Sequence, residues 1–289
     1  MAPRARTEFG LFVNPSAASY RDTLELVRAA EAGGFDLIGI QDHPYQRRFL
    51  DTFALLAFLA ARTSRVRLFP DVANLPLRHP AMLAKQAATL DVLSGGRFEL
   101  GLGAGAFWDG IGAMGGPRRA PAESVDALEE AIAILRACWS GERTVSFSGE
   151  HYDVKGFHPG PPPEHEIGIW LGAYGPRMQR ITGRLADGWL PSVPRFPIEE
   201  LAAARHRIDA AAERAGRDPA SILRLANVNG AIADGPIAGY LKGPPAHWIE
   251  ELTRLRDEFG FDGFIFWGDG DMIEQIGRFA AEVAPALRA

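Results

Sequence analysis

A single cysteine, Cys138, stands in a chain of 289 residues, so no internal disulfide is available. It falls in the apolar run Ile132–Trp139 of an expected helix and reads as a buried structural thiol, consistent with a reducing compartment. No apolar run approaches the roughly 20 residues that span a bilayer. The basic N-terminal stretch with Arg4 and Arg6 leads into a strand-like segment and not into an apolar signal region, so a cytoplasmic protein is expected. Positive charge is not in excess: 31 Lys and Arg against 36 Asp and Glu give a net charge of -5, which leaves no basic footprint for nucleic acid. No grouping of His, Cys and carboxylates has metal-ligand spacing, so no metal is expected. A serine-centred nucleophile elbow is also missing.

What is present is a regular alternation of strand and helix signals. Strands are expected at Glu8–Val13, Asp36–Gln41, Val66–Val72, Arg97–Gly103, Ile167–Gly172, Gly188–Leu190, Ile222–Ile232 and Gly263–Trp267. Helices are expected between them, for example Tyr20–Ala32, stopped by Gly33-Gly34, and Pro80–Leu93, with proline in the first turn. The strands are short and apolar on both faces, as buried parallel strands are. Eight β→α units in this length point to a closed (β/α)₈ barrel, taken as one domain over residues 1–289. An insertion follows the fourth strand: a glycine-rich loop, Ala104–Ala120, then a helix and a short hairpin around Ser148-Gly149.

In such a barrel the chemistry sits on the loops after the strands. Strand two is followed by Asp42-His43-Pro44-Tyr45, an Asp–His pair able to relay a proton near neutral pH; a capping carboxylate beside a surface histidine is the alternative. Strand three ends Pro70-Asp71-Val72-Ala73, where an aspartate in an apolar strand end calls for a partner or a wet cavity, or marks a local bulge. Strand four runs into Gly101-Leu102-Gly103-Ala104-Gly105-Ala106. This fits a loose dinucleotide pattern, but Phe107–Pro117 does not read as the helix that pattern requires. The glycines read instead as room for a flat ligand, with Phe107 and Trp108 beside it or capping the barrel. Strand five ends Gly172-Ala173-Tyr174-Gly175-Pro176 and opens a helix, whose free N–H groups favour phosphate; a plain turn is the alternative. Strand six carries Asp187-Gly188-Trp189, either a turn or a site wall.

Taken together, Gln41–Asp51, Asn74–Phe107 (with LDVLSGGRFELGLGAG as its most specific run), Ile169–Met178 and Arg184–Pro191 resemble the bacterial-luciferase-like oxidoreductases. The likeness favours the branch using the deazaflavin coenzyme F420 over the branch using flavin mononucleotide (FMN). It implies a ring at the barrel mouth that gives or takes a hydride. Asp42 and His43 lie beside ring and substrate in that family, with His43 as acid/base or charge stabiliser and Asp42 orienting it or bonding the ring edge. The resemblance also implies a non-prolyl cis peptide at Asp71–Val72, propping the ring with Ala73. Ring and phosphate contacts are implied at Gly103, Ala104, Gly105, Ala106 and Phe107, and at Gly172, Ala173, Tyr174, Gly175 and Pro176. Tyr45, Trp108 and Trp189 would wall the substrate pocket.

Sugar-phosphate dehydrogenases of that branch carry a glutamate where this chain has Ala106, which argues against sugar-phosphate oxidation. The substrate is expected to be a small organic molecule met by loops such as Gln46–Leu50 and Pro194–Pro197. The rival readings are an FMN monooxygenase fed by a separate flavin reductase and a non-catalytic flavin-binding or storage protein. A homodimer is expected, with the apolar helices Thr52–Ala61 and Ala81–Leu93 available for an interface.

Overall fold

The computed structural model describes residues 6–193 and 195–288; Arg4 and Pro194 therefore lie outside the described residues. Eight parallel strands form the barrel: β1 (Glu8–Val13), β2 (Leu37–Ile40), β3 (Arg67–Pro70), β4 (Leu100–Gly103), β5 (Ile169–Leu171), β6 (Gly188–Trp189), β7 (Leu223–Ile232) and β8 (Gly263–Gly268). β1 lies between β2 and β8, with Phe9 opposite Phe264 and Gly10 opposite Leu37. The order continues through β7, β6, β5 and β4, and on the other side through β3. The ring closes at two points. Leu68 of β3 bridges Phe98, and the two-residue strand Ala73–Asn74 pairs with Leu102 and Gly103. Between these points the chain bulges at Asp71 and Val72.

The main helices are α1 (Tyr20–Ala32), α2 (Thr52–Ala60), α3 (Pro80–Ser94), α4 (Pro121–Trp139), α5 (Pro176–Leu185), α6 (Ile198–Arg214), α7 (Pro245–Phe259) and α8 (Met272–Arg278). Local chemistry sets their ends. The Asp51 carboxylate accepts from Ala54 N at 2.9 Å and caps α2, and Gly95 takes the left-handed conformation that ends α3.

Alternation along each strand makes two cores. Ile38 and Ile40 of β2 face outward into the layer under the helices, while Leu37 faces inward. Leu37 joins Phe12, Phe69, Trp170, Leu190, Leu223, Leu225 and Ile265 to fill the barrel. The interior is thus a packed plug, and function is left to its rim. Cys138 is buried in the outer layer, as its sequence context indicates.

Two expectations are corrected here. The insertion between β4 and β5 contains a short helix, Trp108–Ala113, in the stretch read as loop. The third strand, expected as a single run to Val72, is interrupted at the bulge.

Candidate active site

The Asp–His pair after β2 is split by the fold. Asp42 has no exposed side-chain surface. Arg78 grips it twice, Nε to Oδ2 at 2.8 Å and Nη2 to Oδ1 at 2.7 Å, and Asn74 N donates to Oδ2 at 2.9 Å. The same guanidinium reaches Asp51 Oδ2 at 2.9 Å and lies 4.2 Å above the centre of the Phe53 ring. Asp42 therefore staples the segment after β3 to the end of β2. This corrects its expected role: a fully covered carboxylate held by these donors neither bonds His43 nor offers its side chain to a ligand.

His43 is half-buried, and its Nδ1 is hydrogen-bonded to the Tyr45 hydroxyl. Its ring meets Phe107 edge-on at 5.2 Å and Tyr45 at 5.4 Å. Burial holds the imidazole below its ordinary pKa; Asp42 opposes this and Arg195 adds to it. Burial, with Asp42, pushes the Tyr45 phenol up to about 12. Tyr45 is seated on Gly110, where a Cβ would fall 2.7 Å from Tyr45 Cγ. Phe107 is 55% exposed and holds φ 58°, a left-handed conformation that a bulky residue adopts only where its surroundings enforce it. These three side chains form one aromatic group at the barrel mouth.

At the end of β3 the Asp71–Val72 peptide is cis, where the resemblance places it. The Asp71 side chain turns inward over Gly39: a Cβ on that glycine would lie 3.0 Å from Asp71 Oδ2. Asn227 Nδ2 of β7 donates to Asp71 Oδ1 at 3.1 Å. Oδ2 is buried with no partner among the described residues, as are Asn74 Oδ1 and Asn227 Oδ1. Burial pushes the Asp71 carboxyl up to about 7, against the opposing effect of the Asn227 bond.

The glycines of β4 serve this bulge. A Cβ on Gly101 would sit 2.1 Å from Pro70 O, and one on Gly103 2.8 Å from Val72 Cγ2. A Cβ on Gly105 would meet Pro76 at 2.6 Å and half-buried Trp108 at 2.9 Å. Protein atoms thus stand where side chains on these glycines would be, while Gly103 and Gly105 remain only partly buried. Ala104 is half-buried and Ala106 exposed on the same loop.

After β5, Gly172 packs on Val72, and the Ala173 carbonyl accepts from Trp189 Nε1 at 2.9 Å. Tyr174 is exposed, and its hydroxyl accepts from Ser192 N at 3.2 Å. Gly175 and Pro176 open α5. Trp189 is corrected from pocket wall to core: it is 1% exposed and stacked on Phe261 at 5.6 Å. A surface concavity of about 420 Å³ lined by Arg136, Asp187 and Arg217 lies at the opposite end, before β5 and β6, where Asp187 pairs with both arginines.

Sequence reasoning missed Arg78, Asn227 and the exposed Trp267, which stacks on Phe12 at 4.9 Å. Asn227 and Asn229 did leave a signal, two amides at alternate positions of an apolar strand, which places both on one face. Nothing local to Arg78 marks it as the partner of a residue 36 positions earlier.

The acceptors left open at Asp71, Asn74 and Asn227 fit a polar-edged ring carrying N–H donors. Among the described residues no His, Cys, Asp and Glu group is arranged to hold a metal ion, and no helix is long and apolar enough to cross a membrane.

An F420-dependent glucose-6-phosphate dehydrogenase of Microbacterium testaceum is 32% identical over 195 residues, 65% of this chain and 57% of that protein. The chain thus spans little more than half the length of that relative. Among solved structures, an F420-dependent secondary alcohol dehydrogenase in complex with an F420–acetone adduct matches with a TM-score of 0.87 at 18% identity, over 98% of this chain and 100% of that one. The oxygenating constituent of 3,6-diketocamphane monooxygenase from Pseudomonas putida, in complex with FMN, matches with a TM-score of 0.80 at 20% identity, over 97% and 98%. Residues 5–238 match the model of the luciferase-like monooxygenases, and with the barrel closed around that matched stretch, the chain belongs to this family.

Proposed function

We propose that this protein is an oxidoreductase that binds the deazaflavin coenzyme F420 at the barrel mouth and exchanges a hydride between it and a small organic substrate. The observation that carries the reading is the pairing of two features at the strand ends. One is the set of buried, unpartnered acceptors, Asp71 Oδ2, Asn74 Oδ1 and Asn227 Oδ1. The other is the half-buried imidazole of His43 within its aromatic group. The relatives named for F420 support the choice of ring.

When bound, the ring supplies the two-electron redox chemistry, and the protein supplies orientation and electrostatics. Asp71, Val72 and Ala73 would stand behind the ring and Gly103–Phe107 beside it. The turn that opens α5, from Gly172 to Pro176, would receive phosphate on the backbone N–H groups of Ala173, Tyr174 and Gly175; Gly172 N is bonded to Leu102 O at 3.2 Å, and Pro176 has no N–H. Arg177 does not serve there, because it pairs with Asp126 and Glu129. His43 would meet the substrate, with Tyr45, Phe107 and Trp108 around it. Sugar phosphate is not the preferred substrate. Ala106 offers no acid, Arg118 is paired with Asp109, and Arg119 is bonded to Tyr152.

The second reading, an FMN monooxygenase fed by a flavin reductase, is supported by the FMN-bound structural neighbour. Side-by-side binding titrations with F420 and FMN separate the two. F420 is expected to bind more tightly; an FMN preference of about tenfold, or about 1.4 kcal/mol, would overturn the proposal.

We also propose a homodimer through α2 and α3. α2 is apolar along its whole length after Thr52, and on α3 Met82 (56%) and Leu93 (68%) remain exposed. A monomer mass by light scattering would remove this.

A further inference from the structure

The bond between His43 and Tyr45 determines which imidazole nitrogen carries the proton. We propose that Tyr45 is a positioning residue that fixes His43 as its Nε2–H tautomer, so that His43 meets the substrate as a hydrogen-bond donor and not as a base.

His43 Nδ1 and the Tyr45 hydroxyl are hydrogen-bonded partners. A phenol is the more acidic O–H and an imidazole nitrogen the better acceptor, so the proton stays on oxygen and Nδ1 accepts. A neutral imidazole that accepts at Nδ1 carries its hydrogen on Nε2. Burial supports this state on both sides, holding His43 neutral and keeping the Tyr45 hydroxyl protonated.

The carboxylate next door points to the same answer. A carboxylate bonded to a histidine Nδ1–H leaves Nε2 as a base. Asp42 stands next to His43 in sequence, but Arg78 and Asn74 N hold it. The phenol has taken the carboxylate's place, and the sense of the donor is reversed. Packing fixes the arrangement, with Tyr45 on Gly110 and Phe107 edge-on to the imidazole. Nε2 has no partner among the described residues, which leaves it free for substrate.

The consequence rests on the oxidoreductase reading. An N–H donor suits an oxygen that gains negative charge. In carbonyl reduction the bound, reduced ring would supply the hydride to carbon, the C=O π pair would move to oxygen, and a proton from water would complete the alcohol. Nε2–H stabilises that oxygen as the charge develops.

The test reads the imidazole directly. ¹⁵N-histidine NMR is recorded on the cofactor-free protein above the titration of the ring, and a His43→Gln sample assigns the signals. The expected result is a protonated Nε2 and a hydrogen-bonded, unprotonated Nδ1. In Tyr45→Phe, which keeps the ring and its packing, Nδ1 is expected to shift toward an unbonded acceptor and a Nδ1–H population to appear. A proton on Nδ1 in the unaltered protein overturns the proposal, and so does a Nδ1 signal unmoved in Tyr45→Phe. Because no cofactor is present, this outcome is independent of the F420 and FMN titrations.

Discussion

Asn227 Nδ2 donates to Asp71 Oδ1 at 3.1 Å, and no other side chain among the described residues bonds this carboxyl, whose Oδ2 is buried and open. The pair lies at the top of the barrel plug, where apolar filling gives way to the mouth. With its pKa raised to about 7, Asp71 favours the folded state while protonated. That support is complete below the unfolded value of about 3.9 and is lost as pH rises through the folded value. Asp71→Asn keeps the shape and removes the titration. Melting temperatures of the cofactor-free protein are expected to fall less from about pH 5 to about pH 8 in the variant, which should be the more stable at the upper end by a few kcal/mol at most. Parallel curves for the two proteins would assign the slope to other groups.

Arg78 holds Asp42 in a bidentate pair that is almost fully covered, with side-chain exposures of 9% and 0%. Removing one member of such a pair leaves an uncompensated buried charge, which costs about 3–5 kcal/mol. Arg78→Ala is expected to lose stability on that scale in urea unfolding. Adding Asp42→Asn should recover much of the loss, because the stranded charge is then gone. No recovery in the double variant would mean that the packing of Arg78 on Phe53, and not the ion pair, carries the effect.

The barrel was legible because its strands are covered on both faces and read as short apolar runs between helices, a purely local pattern. His43, Tyr45 and Phe107 were legible as residues at strand ends, and the structure brings them together. The fate of Asp42 was not legible, since its partner Arg78 is set by how the chain after β3 returns over β2. Trp189 was misread for a similar reason. A short strand ending in an aromatic looks the same whether the ring turns to the mouth or, as here, packs on Phe261. The β4 glycines were legible as sites of close approach, but a sequence does not say what approaches. It is the bulge of β3.

The close approach of the β3 bulge to β4 can be tested at Gly101 and Gly103. A methyl group on Gly101 would lie 2.1 Å from Pro70 O, a backbone atom with no side-chain freedom to move aside. Gly101→Ala is expected to shift the bulge and cost about 1–3 kcal/mol or more, as overpacking does. Gly103→Ala meets the Val72 methyl Cγ2 at 2.8 Å, which can rotate or shift, and should cost less. Chemical unfolding of both variants checks the order. A Gly103→Ala protein weaker than Gly101→Ala would contradict the backbone contact as the controlling one.

At the other end of the barrel, His165 is held between two carboxylates. Its Nδ1 lies 2.7 Å from Asp91 Oδ1, and its Nε2 lies 3.6 Å from Glu99 Oε1. Glu99 also pairs with Arg67 at 3.0 Å, and Asp91 Oδ2 accepts from the backbone N–H groups of Glu164 and His165. The neighbouring Glu99 carboxylate, opposed by partial burial and helped by Asp91, raises the imidazole pKa above its ordinary value. The clamp therefore favours the charged ring. Its stabilisation is complete below the unfolded value of about 6.5 and disappears as pH rises through the higher folded value. His165→Gln removes this dependence while leaving a side chain that can still donate to Asp91. Urea midpoints measured across that window should decline more steeply in the unaltered protein than in the variant. Once the intrinsic rise of amide exchange with pH is divided out, protection in the segment before β5 should fall more steeply with pH where His165 is present. Equal slopes in the two proteins would show that the clamp contributes no pH-dependent stability.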